Sequence, residues 1–428
     1  MARTVQPLGF DSVGNVGTDR VPDRLHEVQR VSVSVITRVL VGFSLAMAGN
    51  GLLLATLGVR ATRAGFSDAL TGAVLGVYYV GFLVGARQAR RMVLRFGLSR
   101  ALIGLIVAMA LISAGPALGE VPAWWIVLRL LQGYSISACY VVMETFLNRA
   151  TGNDRRGHLL GIYMVGTMGA FAVGSLMFRL TGADGRLPFL TAGALTGAGA
   201  VVLIGLHTSF TAPTSAVTAM PLRGLFRLAP VGVAVGVLVG FANGAFNTVA
   251  VYAEKADFTD GQTAIISAVV GIGPIVVLYP LSRLSDRVSR PTVLAGSALV
   301  AAALLALTAG MHPGGSPMMV TLMLAGGLTI ALYTLTSAET NDHVTPAQMA
   351  GASGQIVLLY GIGAILGPFA AAATMRRSGP DGFLWLSAGS HLVIVAMVAA
   401  MSAFVRSQRS SVAALVTRPT ALLPNRPE

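Results

Sequence analysis

Twelve apolar runs, each long enough to cross a bilayer as a helix, leave this chain few folds to choose from. They fall at about 36–59, 69–90, 99–118, 123–147, 157–179 and 188–207, then at about 228–252, 261–283, 291–310, 317–340, 350–374 and 383–405. A hydrocarbon core takes roughly 20 apolar residues in helical form, because each backbone N–H and C=O in lipid must be satisfied within its own segment. Composition agrees with this reading. Of 428 residues, 54% are hydrophobic and 11% charged, whereas soluble globular chains carry about 25% charged residues. The net charge of +13 does not point to nucleic acid, because the charges sit in short clusters between apolar runs. A single cysteine, Cys139, excludes an intrachain disulfide framework and a thiolate metal site.

The arginines set the expected orientation. With the N-terminus inside, 22 of the 30 basic residues fall on inner segments and 7 on outer ones, with Arg129 left within a span. The positive-inside bias therefore places both termini in the cytoplasm. The expected organisation is a cytoplasmic tail (1–35), a six-helix bundle (36–207), a cytoplasmic central loop (208–227), a second six-helix bundle (228–405) and a cytoplasmic C-terminal tail (406–428). The polar first 35 residues lack the apolar core of a signal peptide, so the chain is read as a multi-pass membrane protein with nothing to suggest cleavage or secretion.

The two halves repeat. Gly65-Phe66-Ser67-Asp68, followed by Thr71, returns 192 residues later as Asp257-Phe258-Thr259-Asp260, followed by Thr263. The same offset carries Gly81 to Gly273 and Arg95 to Arg287. With small shifts, Asn50-Gly51 matches Asn243-Gly244, and Glu144-Thr145 matches Glu339-Thr340. Ser67 and Thr259 read as N-caps of spans 2 and 8. Asp68 and Asp260 read as acids at the positive helix end rather than as binding groups. An even number of helices per half keeps the repeats parallel about an axis along the membrane normal. Such repeats enclose a polar site that rocking exposes to each side in turn.

Three motifs add to this. Span 2 is followed by Gly81 to Gly85, a basic stretch and Arg95-Phe96-Gly97-Leu98-Ser99-Arg100. Span 8 is followed by Ser282 to Arg290, which contains Asp286, Arg287 and Arg290. Span 4 carries Arg129-Leu130-Leu131-Gln132-Gly133. Together they resemble the signatures of the major facilitator superfamily. Val141 to Thr145, Arg156 to Leu160 and Glu339 to Pro368 are similar to its uncharacterised bacterial YcaD-type branch. The resemblance implies an all-α membrane protein of twelve helices in two pseudo-symmetric six-helix bundles, and a transporter rather than an enzyme. This chain departs from the pattern at Leu94, where the first loop would hold an acid, and at Ser282 and Ser289, where the second would hold glycines. Span 1 carries no acid, so proton antiport does not come with the resemblance.

Candidate site residues are those that break the apolar rule. Arg129 lies about 9 Å into span 4 at 1.5 Å per residue, too deep for a casual surface charge. Asn50 lies mid-span 1, and Asn243 and Asn247 lie one turn apart on span 7. Gly51 and Gly244 are expected to loosen those helices. With Gln132, these residues are expected to face a central cavity. Tyr78, Gln355 and Tyr360 are weaker candidates, and His391 reads equally well as an interface residue. Near the inner ends of spans 4 and 10, Glu144 is expected to pair with Arg95 or Arg100, and Glu339 with Arg287 or Arg290. Asp286 belongs to the same basic loop. Such pairs would latch the inner gate in an outward-open state. Trp124-Trp125 reads as an interfacial anchor.

The sequence has no phosphate loop, no nucleophile elbow and no metal-ligand spacing among its histidines. It therefore points to no cofactor, and to H+ as the ion if transport is coupled. The expected partners are a small-molecule substrate and the lipid bilayer, without nucleic acid, for a chain working as a monomer. A non-transporting sensor or assembly partner is the alternative, and it predicts a plugged cavity.

Overall fold

The computed structural model describes residues 32–150, 153–206, 220–311 and 315–416. The tail arginines Arg3, Arg20, Arg24 and Arg30, most of the expected central loop and the end of the chain lie outside the described residues. The first half comprises α1 (Val33–Arg63), α2 (Asp68–Phe96), α3 (Leu98–Ala114), α4 (Pro122–Ala150), α5 (Asn153–Thr181) and α6 (Leu187–Leu203). After a short helix, α7 (Leu222–Leu228), the second half runs through α8 (Pro230–Phe246), α9 (Val249–Lys255), α10 (Asp260–Arg287), α11 (Arg290–Ala309), α12 (Ser316–Asn341), α13 (Pro346–Ser378) and α14 (Gly382–Val416). The helices form the two repeated bundles that the resemblance implies. Below, the inner side means the side of the termini.

Local chemistry explains the boundaries. Ser67 accepts a hydrogen bond from the Leu70 N–H at 3.3 Å, and Thr259 forms a capping box with Gln262. Gly97 ends α2 at a φ of +80°, a left-handed turn that a Cβ would disfavour. Three expectations need correction. The motif segments after spans 2 and 8 are helical: α2 continues to Phe96 and α10 to Arg287, leaving turns of one and two residues. Span 7 is broken between Phe246 and Val249, and α7, within the expected loop, meets α8 at a bend of 116°. The break falls beyond Gly244, and α1 runs unbroken through Gly51. Neither glycine loosens its helix.

These glycines permit close contact instead. A Cβ on Gly51 would lie 2.1 Å from the Phe171 carbonyl of α5, and one on Gly244 would lie 2.3 Å from the Ala364 carbonyl of α13. The α2–α4 contact is closer still. A methyl added at Gly81 would stand 1.8 Å from the Leu130 carbonyl, and one added at Gly133 would stand 1.9 Å from the Tyr78 carbonyl. Gly273 and Gly327 repeat that contact between α10 and α12. Without a hydrophobic drive between helices in lipid, such small-residue seams supply the packing.

The halves meet through α2 against α13 and α5 against α10. On the outer side they share one apolar core, in which Leu57 and Phe178 join Val251 and Tyr252. Toward the inner side the cores separate. Phe43, Met143 and Phe146 cluster in the first half, and Val235, Leu294 and Leu335 in the second. Trp125 corrects the anchor reading: it is fully buried between Phe66 and Phe189, and its indole N–H bonds the Gly119 carbonyl at 2.8 Å. Trp124 is 38% exposed.

Candidate functional site

A cavity of about 240 Å³ lies between the halves. The first half contributes Asn50 from the midpoint of α1, Tyr78 and Tyr79 from α2, and Arg129 from α4. The second contributes Asn247 from the α8–α9 break, Ser267 from α10 and Tyr360 from α13. Residues from both bundles thus converge on one space.

Arg129 is 5% exposed. Its Nε lies 3.4 Å from the Val74 carbonyl, and its guanidinium sits 4.6 Å from the centre of the Tyr78 ring. No carboxylate among the described residues reaches it. The charge is held by a ring face and one carbonyl, and the cavity lies on its open side. From Tyr78 an aromatic series crosses the interface. Tyr79 stands edge-on at 5.1 Å, Tyr360 follows at 6.3 Å, and Tyr333 lies 4.9 Å beyond it. Asn247 donates to the Tyr79 hydroxyl, which closes a polar contact between the halves at the broken helix. The break frees backbone groups there, and the Thr248 hydroxyl takes one up by donating to the Ala245 carbonyl at 2.7 Å.

The repeat-related asparagines differ. Asn50 lines the cavity and accepts a hydrogen bond from Gln132 Nε2 at 3.4 Å. Gln132 is fully buried behind it and outside the lining. Asn243, expected in the cavity, instead ties α8 to α12. Its Nδ2 donates to the Thr329 carbonyl at 2.8 Å and to its own helix at Val239. Thr329 continues to His391 on α14 at 3.0 Å, so His391 is an interface residue. Gln355 also leaves the cavity, donating to the Met220 carbonyl at 2.8 Å. Asn243→Ala is accordingly expected to lower stability by about 1 kcal/mol, the scale of an interhelical hydrogen bond in a membrane protein. A melting curve of the purified protein checks this, and ligand affinity measured on the same sample should be unchanged.

Sequence reasoning missed the ion pairs that join the halves on the outer side. Arg63, at the end of α1, grips Glu254 of α9 at 2.8 and 2.9 Å and reaches Asp260 of α10 at 2.6 Å. Lys255, at the end of α9, reaches Asp68 of α2 at 2.7 Å. The offset of 192 that maps Asp68 onto Asp260 also maps Arg63 onto Lys255. The crossing is therefore reciprocal: each half sends the cation ending its first span to the acid opening the other half's second. Asp68 and Asp260 are more than helix-end acids. The signal was in the repeat, at charges that change type from Arg to Lys. Beside it, Arg60 bridges Glu120 and Asp184 within the first half.

The inner side differs from the expected latch. Glu144 is exposed and has no ion pair among the described residues, and Arg95 stacks on Phe96 at 5.3 Å instead. Arg100 and Arg287 have no ion pair among the described residues. Arg290 pairs with Asp342 and lies 3.9 Å from Asp286. Glu339 is buried, 3.7 Å from His343 Nδ1. No ion pair among the described residues joins the halves on this side. The expected pairs each lie within one half, and their members take other neighbours there: Arg290 bonds Asp342, and Glu339 faces His343.

Comparison with known proteins accords with this architecture. A family profile described as Major Facilitator Superfamily matches residues 39–231 and again 232–424, once per repeat. An uncharacterised MFS-type transporter of Enterobacter sp. (strain 638), Ent638_1421, is 26% identical over 312 residues, covering 72% of this chain and 80% of its own. The uncharacterised MFS-type transporter YcaD of Salmonella dublin is 26% identical over 347 residues, covering 76% and 87%. Among solved structures, a mutant of the nucleoside transporter NupG superposes with a TM-score of 0.74 at 16% identity, covering 86% of this chain and 99% of that one. The human organic anion transporter MFSD10 (TETRAN) gives 0.58 at 14% identity, covering 85% and 99%.

Proposed function

This chain belongs to the major facilitator superfamily, a family of transporters and not of enzymes, and we propose that it is a secondary transporter moving a small polar or amphipathic solute by alternating access. The carrying observation is that both bundles line one cavity whose outer side is closed by the reciprocal Arg63–Asp260 and Lys255–Asp68 pairs. The arrangement is an inward-facing state, in which the halves share a core on the outer side only. In the opposite state the outer pairs separate and the inner ends close. The membrane is a bacterial inner membrane with both termini cytoplasmic, and the chain works as a monomer, without nucleic acid or a bound cofactor. Where transport is coupled, H+ is the ion, and Glu144 or Glu339, at repeat-related positions, carries it. A non-transporting scaffold predicts a plugged interior, against which the open cavity speaks.

Cysteine accessibility tests the cycle, because the native Cys139 is buried. Ser267→Cys in the cavity is expected to react with an impermeant thiol reagent from the inner face of inverted vesicles. From the outer face of intact cells it should react more slowly, since the labelled fraction follows the population open to that side. Equal rates from both faces would describe a pore. Reaction from neither face would describe a sealed scaffold. Either result overturns the reading.

A further inference from the structure

We infer that the central cavity selects a planar aromatic monoanion, such as an aromatic carboxylate, with Arg129 as its counter-ion. This rests on the transporter reading of the same cavity and names its substrate class. The first support is charge. Among the described residues the lining holds one cation, Arg129, and no aspartate or glutamate. The nearest acid on α4, Glu144, lies one turn beyond Tyr140 on the inner side, outside the lining. A solute cation would meet an uncompensated guanidinium in a low-dielectric space, and a solute anion would neutralise it.

The second support is hydrogen-bonding capacity. Arg129 spends only Nε on protein, at 3.4 Å to the Val74 carbonyl. Its two Nη groups have no acceptor among the described residues, yet they are not sealed from the cavity. A guanidinium with two free edges matches a carboxylate in the two-pronged geometry that gives Arg its preference for planar anions. The Ser267 hydroxyl, buried on the facing half, also lacks a partner.

The third support is shape. The walls beyond Arg129 are rings: Tyr79 and Phe82 from α2, Tyr140 from α4, Phe171 from α5, Phe246 from α8 and Tyr360 from α13. Rings from both halves favour a flat, apolar body through stacked or edge-on contact. At about 240 Å³ the space falls just below the roughly 300–1,000 Å³ of drug-sized ligand cavities, so it suits a body of one or two fused rings.

The test is equilibrium binding to the purified full chain in detergent, with three probes of one shape and different charge: 2-naphthoate, 2-naphthamide and 2-naphthylmethylammonium. Decahydro-2-naphthoate adds the same charge without the aromatic face. The naphthoate is expected to bind at least tenfold tighter than the amide or the ammonium, and several-fold tighter than the saturated acid. Arg129→Gln should erase the preference for acid over amide, and Arg129→Lys should keep part of it. If Arg129→Gln does not fold, the charge series on the unaltered protein still decides. An ammonium or amide that binds as well as the acid, or no binding by any probe, overturns the assignment. Cavity labelling through Ser267→Cys stands apart from these outcomes, so failure of the anion assignment is distinguishable from failure of alternating access.

Discussion

Labelling of the Ser267→Cys reporter from the outer face is expected to rise about tenfold when Arg63→Ala and Lys255→Ala are combined. Both cations cross from one half to the other, so their contacts exist in the state closed outside and vanish when the halves part. Their side chains are 26% and 24% exposed, and the acids they reach are 18–30% exposed. These pairs are worth more than free surface ion pairs, which contribute about 0–1 kcal/mol each. Removing both is expected to withdraw about 1.5 kcal/mol from the closed-outside state, and 1.4 kcal/mol is a tenfold shift in a two-state equilibrium. The swapped pair Asp68→Lys with Lys255→Asp, made with Arg63 intact, should return most of the closure, because it restores the crossing in reverse. If the double alanine variant labels from outside at the unaltered rate, these contacts do not hold the gate.

Gly133→Val is expected to abolish folding, seen as loss of the monodisperse peak in size-exclusion chromatography and of a cooperative melt. A Cβ at this position would lie 1.9 Å from the Tyr78 carbonyl, and at Gly81, across the same seam, 1.8 Å from the Leu130 carbonyl. Backbone on both sides leaves nothing flexible to yield. Overpacking a well-packed core typically costs about 1–3 kcal/mol, and here α4 must separate from α2 along the contact that positions Arg129 and Tyr78. Gly104→Ala is the control. Nothing lies within 4 Å of its added methyl, so its melting point should match or slightly exceed that of the parent, as alanine favours helix over glycine. Equal melting points for both variants would remove close α2–α4 packing as a determinant of the fold.

How far the sequence reached is best seen at matched positions. Asn50 and Asn243 are related by the repeat and both stand mid-span, yet one lines the cavity and the other bonds α12. A polar residue in an apolar run announces that it must be satisfied, but not where, because the rotation of a helix about its axis is set by its neighbours. Gln355 misled in the same way, its partner being the Met220 carbonyl. Arg129 and Asn247 were legible as cavity residues, and Tyr78 and Tyr360 only as secondary candidates, since charge or an amide within an apolar span must find polar surroundings while a tyrosine need not. The expected inner latch pairs are not formed in this arrangement for another reason. Each lies within one bundle, where several charged groups compete, and spacing in the chain does not say that Arg290 takes Asp342 or that Glu339 faces His343.

The apolar runs, their number and the duplication were written in the chain itself, because hydrocarbon tolerates only segments that satisfy their own backbone and a repeat is visible as spacing. The tertiary structure alone decided which faces turn inward, that Arg63 and Lys255 reach across to Asp260 and Asp68, and that Arg129 opens on a ring-lined space with no carboxylate among the described residues. Those are contacts between segments far apart in the chain, fixed by how helices seat against one another rather than by any local pattern.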